Sequence, residues 1–228
     1  NEAVSDEDNS SYIDYIMDEE KYTSGKKFIN DSNYWHELIN EHNSITKIAD
    51  NDNNDLTTAR NIYEITGELQ AKIEKYCSDF GVNEYNLLFS AFGLLMRRKL
   101  HKNDIYVITT LSNRSSTSSK NTLGMYIDII PVYINADTSK SISEYISSVG
   151  SSIVSSIRHR RYGYNNVLKE AYNCGLSEKI SDVYFAYLNS ENAKEDGEMF
   201  FETFHTGVQV ESIHMIARVN TNKKLEFN

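Results

Sequence analysis

The sequence predicts an α/β (α+β) fold in which a mixed β-sheet is flanked by helices. Three observations carry that expectation. The β-branched run at residues 105–111 (IYVITTL) has the length and composition of a buried strand. Such runs alternate with segments whose apolar residues recur at helical spacing, as crossover units do. The last third of the chain then changes to short, closely spaced strand signals that read as hairpins.

Each element follows from its own pattern. Residues 12–22 place Tyr12, Tyr15, Ile16 and Glu19 at helical spacing, and residues 28–39 set Phe28, Tyr34, Trp35, Leu38 and Ile39 on one face. Tyr12 and Trp35 read as helix-packing residues, with Asp14 a polar partner at that contact. Asp31 and Ser32 are the expected N-caps of the second helix. The polar run 50–55 reads as an exposed loop. Residues 59–65 alternate as a strand does. In residues 68–80, Leu69, Ile73, Tyr76 and Cys77 form one stripe that stops at Gly81. Asn83 caps the next segment, which is apolar nearly all round over 87–96 and so belongs inside a layered domain. After the 105–111 strand, the hydroxyl-rich residues 113–122 are expected to form a flexible loop. A strand at 125–134 and a helix at 142–157 follow. Short strands and turns are expected at 182–188, 199–205, 208–210, 213–219 and 225–227. Residues 1–10 are polar and acidic and read as a loose segment. No internal repeat is visible.

Composition narrows the function. The 228 residues carry 23 Lys and Arg against 33 Asp and Glu, a formal charge of −10. Nucleic-acid binding needs a basic face to neutralise phosphates, and the one basic cluster, residues 158–161, is too short to outweigh that acidity. No stretch approaches the roughly 20 apolar residues that span a bilayer, and no charged leader followed by an apolar run is present. Cys77 and Cys174 stand far apart, without metal-ligand spacing. They suit small core positions in a reducing cytoplasm. No G-x-S-x-G elbow, H-E-x-x-H helix or glycine-rich phosphate loop occurs. His205 and His214 flank Glu211, where metal ligation and ordinary surface histidines are both open and the latter is favoured.

Several short segments, in order, resemble the condensation domains of nonribosomal peptide synthetases. Tyr12-Ile13-Asp14-Tyr15 is similar to that family's Y-x-D-[YF] signature, and Tyr34-Trp35 to the Tyr-Trp that follows it. Asn113-Arg114 and then residues 123–129 (LGMYIDI) resemble the NR loop and the [IV]-G-x-F-V-N-T strand. Residues 159–165 (HRRYGYN) resemble [HN]-Q-x-Y-P-[FY]-[ED], and residues 182–188 (DVYFAYL) resemble the strand that comes next. The sequence departs from the family at Asp128 (usually Asn), Ile129 (usually Thr) and Gly163 (usually Pro). None of its six histidines stands in the catalytic H-H-x-x-x-D-G motif.

The resemblance implies that residues 11–228 form the C-terminal lobe of a chloramphenicol-acetyltransferase-like domain, with the histidine-bearing lobe lying outside this sequence. It implies no directly bound cofactor. The partners it implies are peptidyl or acyl carrier proteins bearing 4′-phosphopantetheine, the N-terminal lobe and neighbouring synthetase domains. An epimerisation, heterocyclisation or acyl-CoA-dependent relative, or a non-catalytic carrier-binding module, stays open beside it.

Site expectations follow from the same resemblance, each with a plainer counterpart. Gly124, Met125, Tyr126 and Asp128 line the inter-lobe tunnel. An acid in an apolar strand must be paired, protonated or solvent-facing, so Asp128 is equally an edge-strand acid beside Pro131. Asn113, Arg114 and Ser115 meet the phosphopantetheine, or belong to a simple flexible connector. His159, Arg160, Arg161 and Tyr162 dock an acidic carrier helix, or complement a helix C-terminus and pack its loop.

Overall fold

A computed structural model describes residues 11–48, 56–114, 116–176, 179–188, 206–220 and 222–228. The expected strand at 199–205 lies outside the described residues, as do residues 1–10, the polar run 50–55, Ser115 and His205.

Two helices open the described chain, α1 (Tyr12–Thr23) and α2 (Lys26–Glu41). Ser11 and Asp14 close a capping box on α1, so Asp14 satisfies the helix start and is not the inter-helix partner its position suggested. The α2 cap is Gly25, ahead of the expected Asp31 and Ser32. Those two residues lie inside the helix, where tertiary bonds hold Asp31 (below). The 59–65 strand shrinks to a two-residue β1 (Tyr63–Glu64). Helices α3 (Gly67–Phe80) and α4 (Glu84–Leu100) are capped by Thr66 and Asn83, and Gly81 takes the left-handed C-cap position with φ 63°.

Strands β2 (Asp104–Ser112) and β3 (Ile127–Asn135) form an antiparallel hairpin from Asp104↔Asn135 to Ser112↔Ile127. Their connection contains a short helix, α5 (Thr117–Asn121), built on a Ser116–Ser119 capping box. The expected plain loop is therefore partly helical. Helix α6 (Ile142–Arg158), a 3₁₀ turn (Arg160–Tyr162) and α7 (Tyr164–Asn173) cross over to β4 (Val183–Leu188). Among the described residues, strands β5 (Ile213–Val219) and β6 (Leu225–Phe227) complete a sheet of six strands in the order β1-β6-β5-β4-β2-β3. Strand β4 is parallel to both neighbours and the other pairs are antiparallel. Residues 208–210 form no strand; Val208 contributes one isolated bridge to Thr57.

Alternation along the central strands explains the layers. Ile105, Val107, Val183 and Phe185 point to one face, against Phe89, Phe92 and Met96 of α4 and Val149 and Ile153 of α6. Tyr106, Ile108, Tyr184 and Ala186 point to the other, against Trp35 and Ile39 of α2 and Val167 and Ala171 of α7. Both faces are covered, so these strands read as continuous apolar runs. Gly93 lets α4 approach closely, since a Cβ there would stand 2.7 Å from the Tyr145 hydroxyl and 2.9 Å from Ile134 Cδ1. Asp182, just before β4, accepts the Ile48 amide and the Ser212 hydroxyl, pinning two connections to the sheet. Cys77 and Cys174 are half-buried free thiols and not the fully buried core residues expected, although Cys174, at the C-cap of α7, packs against the edge of the second core.

Candidate functional site at the end of the β2–β3 hairpin

The resemblance-derived residues converge where β2 ends and β3 begins. Arg114 holds this loop: its guanidinium donates to the carbonyls of Ser119, Thr122 (2.7 Å) and Gly124 (2.9 Å) and lies over the Tyr126 ring at 4.4 Å. Three of its N–H groups are thus given to the loop's own backbone. Tyr126 is buried under Tyr12 and Tyr15 of α1, with ring centroids 5.4 and 4.8 Å away. The Tyr12 hydroxyl donates to the Met125 carbonyl at 2.8 Å. Gly124 passes so close to Tyr12 that a Cβ would fall 2.2 Å from the ring, which requires glycine. The Y-x-D-Y segment and the glycine strand thus form one contact, joined by residues more than 100 positions apart.

Asp128 sits one step further along β3, the edge strand. Its Oδ2 is enclosed and lies 3.4 Å from Arg160 Nε. Arg160 gives its hydrogen bonds elsewhere, to Asn113 Oδ1 (2.7 and 3.2 Å) and to the Ile157 carbonyl (3.0 Å). Burial raises the Asp128 carboxyl above the ordinary range, and Arg160 offsets only part of that. Asn113, Asp128 and Arg160 are therefore one interlocked group.

Beside Asp128 opens a cavity of about 410 Å³, walled by Ile127, Ile129, Phe28 and Tyr162 and rimmed by Glu19 and Arg161. Arg161 bonds Asp18 (2.8 Å) and Glu19 (2.9 Å) and covers the Tyr22 ring. His159 stacks on Tyr34 and its Nδ1 meets Asp31 Oδ1 at 2.7 Å; Tyr22 donates to Asp31 Oδ2 at 2.6 Å. Tyr162 is buried and donates to Glu170 (2.6 Å). Burial alone would raise Glu170, but bonds from Tyr162, His36 and Ser32 hold it below its ordinary range. Of the four residues read as carrier-docking candidates, three charged or ring groups are partly exposed and each already has an internal partner. The acidic partners Glu19 and Asp31 were not singled out from the sequence as site residues. Their signal is weak, since each is one acid among many on a polar helix.

His214 packs on Tyr184 at 4.1 Å between ring centroids, with Glu211 3.5 Å from its Nδ1 and Gln209 bridging the two. The His214 bond pulls the Glu211 carboxyl down to about 2, against burial and with help from Gln209. A depressed acid stabilises the fold above its unfolded value near 4.5 and loses that contribution as pH falls through about 2. Glu211→Gln is therefore expected to flatten the acid limb of stability between those two pH values and leave stability above pH 6 little changed in its pH dependence. Urea melts at half-unit pH steps check this; an unchanged acid limb contradicts it. Among the described residues no cluster of three or more His, Cys, Asp or Glu is arranged to hold a metal ion. No described helix is long and apolar enough to cross a membrane.

The family model described as "Condensation domain" matches residues 1–223. Surfactin synthase subunit 1 of Bacillus subtilis (strain 168) is 23% identical over 219 residues, which are 93% of this chain and 6% of that protein. Bacitracin synthase 3 of Bacillus licheniformis is 22% identical over 173 residues, 73% of this chain and 3% of that protein. Among solved structures, the first condensation domain of the CDA synthetase superposes with a TM-score of 0.72 at 12% identity, covering 99% of this chain and 50% of that one. VibH, described as an NRPS condensation enzyme, gives 0.71 at 16% identity, covering 95% and 51%. The chain thus spans a small part of those synthetases and about half of these solved chains, and the structural likeness concerns the fold.

Proposed function

The chain belongs to the condensation-domain family, and from that premise we propose that it is the C-terminal lobe of a nonribosomal peptide synthetase condensation domain. The observation that carries this is an apolar row at the candidate site. Leu123 (94% exposed), Met125 (65%), Ile127 and Ile129 are exposed along the start of the edge strand, and Ile13, Ile16 and Met17 are exposed on neighbouring α1. Exposed apolar side chains concentrated on neighbouring elements are the mark of a covered interface. Its occupant in this reading is the lobe that bears H-H-x-x-x-D-G.

In the assembled domain, the amine of one carrier-tethered substrate attacks the thioester carbonyl of another. The C–N bond forms, the C–S bond breaks, and the released phosphopantetheine thiol receives the proton. The histidine of the other lobe assists by proton transfer or by placing the amine. This lobe supplies the tunnel wall through Gly124, Met125 and Asp128, with the buried Tyr126 holding that segment against α1. Its loop at Asn113 and Arg114 stands at the carrier side, with Arg114 setting the loop's shape, and the partly exposed His159, Arg160 and Arg161 meet the carrier while the buried Tyr162 packs their turn. The departures at Asp128, Ile129 and Gly163 favour one rival, a carrier-binding module without catalysis.

The test mixes the chain with two loaded carrier proteins, with and without the histidine-bearing lobe of the same synthetase. Amide formation is expected only when both lobes are present. Amide made by the chain alone overturns the lobe assignment, and carrier binding with no amide from the pair supports the rival.

A further inference from the structure

Asp128 makes no hydrogen bond among the described residues, although it is largely enclosed. Its Oδ2 faces Arg160 at 3.4 Å, but the guanidinium is committed to Asn113 and to the Ile157 carbonyl. The contact supplies charge without a donated proton. A desolvated carboxylate oxygen lacking a donor is costly, because water has been removed and nothing replaces it. The side chain retains 22% exposure, and Asp128 lines the 410 Å³ cavity. With Oδ2 enclosed, Oδ1 is the oxygen left to an incoming donor.

The rest of the cavity specifies what that donor is attached to. Ile127, Ile129 and Phe28 are apolar residues lining the same cavity as Asp128. The charged residues lining the cavity are two acids, Glu19 and Asp128, against one cation, Arg161. An aliphatic chain ending in a compact cation satisfies both conditions, since its methylenes cover the wall and its N–H groups reach the carboxylate. A neutral chain leaves Asp128 unbonded, and an anion meets the excess negative charge.

We propose that this cavity is a subsite for a primary ammonium group on an aliphatic chain, so that Asp128 selects a basic aminoacyl substrate. The substrate assignment rests on the tunnel reading above; the ammonium subsite itself does not. Burial that disfavours the lone carboxylate is relieved when the ammonium arrives, which adds to the preference.

The test titrates the ¹⁵N-labelled chain with N-acetyl-lysine methylamide and with the isosteric N-acetyl-norleucine methylamide. Saturable shifts at the Ile127, Ile129 and Gly163 amides are expected with the lysine probe, and binding of the norleucine probe at least about tenfold weaker. Asp128→Asn keeps the shape and is expected to abolish the difference, whereas Asp128→Glu keeps the charge and preserves a preference for lysine. Equal binding of the two probes overturns the subsite, as does a lysine preference that survives in Asp128→Asn. The two readings fail separately. Loss of amide synthesis in the two-lobe assay with lysine preference intact removes the tunnel and leaves the subsite; the converse removes the subsite alone.

Discussion

Replacing Phe185 with alanine is expected to destabilise the fold by about 3–5 kcal/mol, the range for truncating a large aromatic in a packed core. Phe185 has 0% exposure at the centre of β4, between the two sheet neighbours that run parallel to it. Its ring meets Phe89 edge-on at 5.5 Å and Phe92 at 5.3 Å, and Tyr85 lies at 6.3 Å. Removing it leaves a cavity lined by α4, whose helix cannot settle inward because Gly93 already brings it against Tyr145 and Ile134. The transfer and cavity contributions therefore add. Thermal melts of Phe185→Ala are expected to fall by roughly 2–4 °C per kcal/mol lost. Tyr172→Ala, at a 70%-exposed ring, is the control and is expected to stay within about 0.5 kcal/mol of the parent. A drop in Phe185→Ala no larger than in the control contradicts the core assignment.

Replacing Asp31 with alanine is the second large effect, expected at about 3 kcal/mol, the lower edge of the range for breaking a buried polar pair. Asp31 is 2% exposed and takes bonds from Tyr22 on α1 and from His159 at the end of α6. Trp35 on the same helix donates to the His159 carbonyl at 3.0 Å, so the two contacts lock one joint. Losing the carboxylate strands the Tyr22 hydroxyl in a buried position and frees the turn that carries Arg160 and Arg161. The lower edge applies because the His159 ring is partly exposed and water reaches it. Urea midpoints of Asp31→Ala, Tyr22→Phe and the double variant measure the coupling, expected near 1 kcal/mol. Strict additivity of the two single changes excludes the joint. Asp31→Ala is also expected to broaden the amide signals of Asn113 and Asp128, since Arg160 links them to this turn.

Much of the architecture was legible in the pattern of residues. The 68–80 and 87–96 stripes became α3 and α4 with the expected Gly81 and Asn83 at their ends, and β5 and β6 fell on their expected residues. The misreadings share one cause. Asp31 and Ser32 have cap chemistry, yet they lie inside α2 because a buried carboxylate was needed across from His159. Residues 113–122 have linker chemistry, yet Arg114 and the Ser116 cap fold them into a strap. Alternation over 59–65 is real, but the three-residue β6 pairs only with its end, Tyr63 and Glu64 in the ladder and the Ile65 amide on the Leu225 carbonyl.

The candidate site divides in the same way. Asp128 stood out in the sequence because an acid in an apolar strand demands an explanation. Its surroundings did not: Arg160 is nearby but committed to Asn113, and Glu19 arrives from α1 through Arg161, 142 residues away in sequence.

The sequence by itself determined the layered α/β class, most element positions and the ordered motifs of the condensation-domain family, because periodicity and capping act over a few neighbouring residues. Only the tertiary structure decided which acid faces which cation, that Arg114 bonds the carbonyls of its own loop, and that Asp128 finds no hydrogen-bond partner among the described residues. Those outcomes depend on separations in space of about 3 Å, the hydrogen-bonding distance, between groups far apart in the chain, and no local pattern of residues encodes such distances.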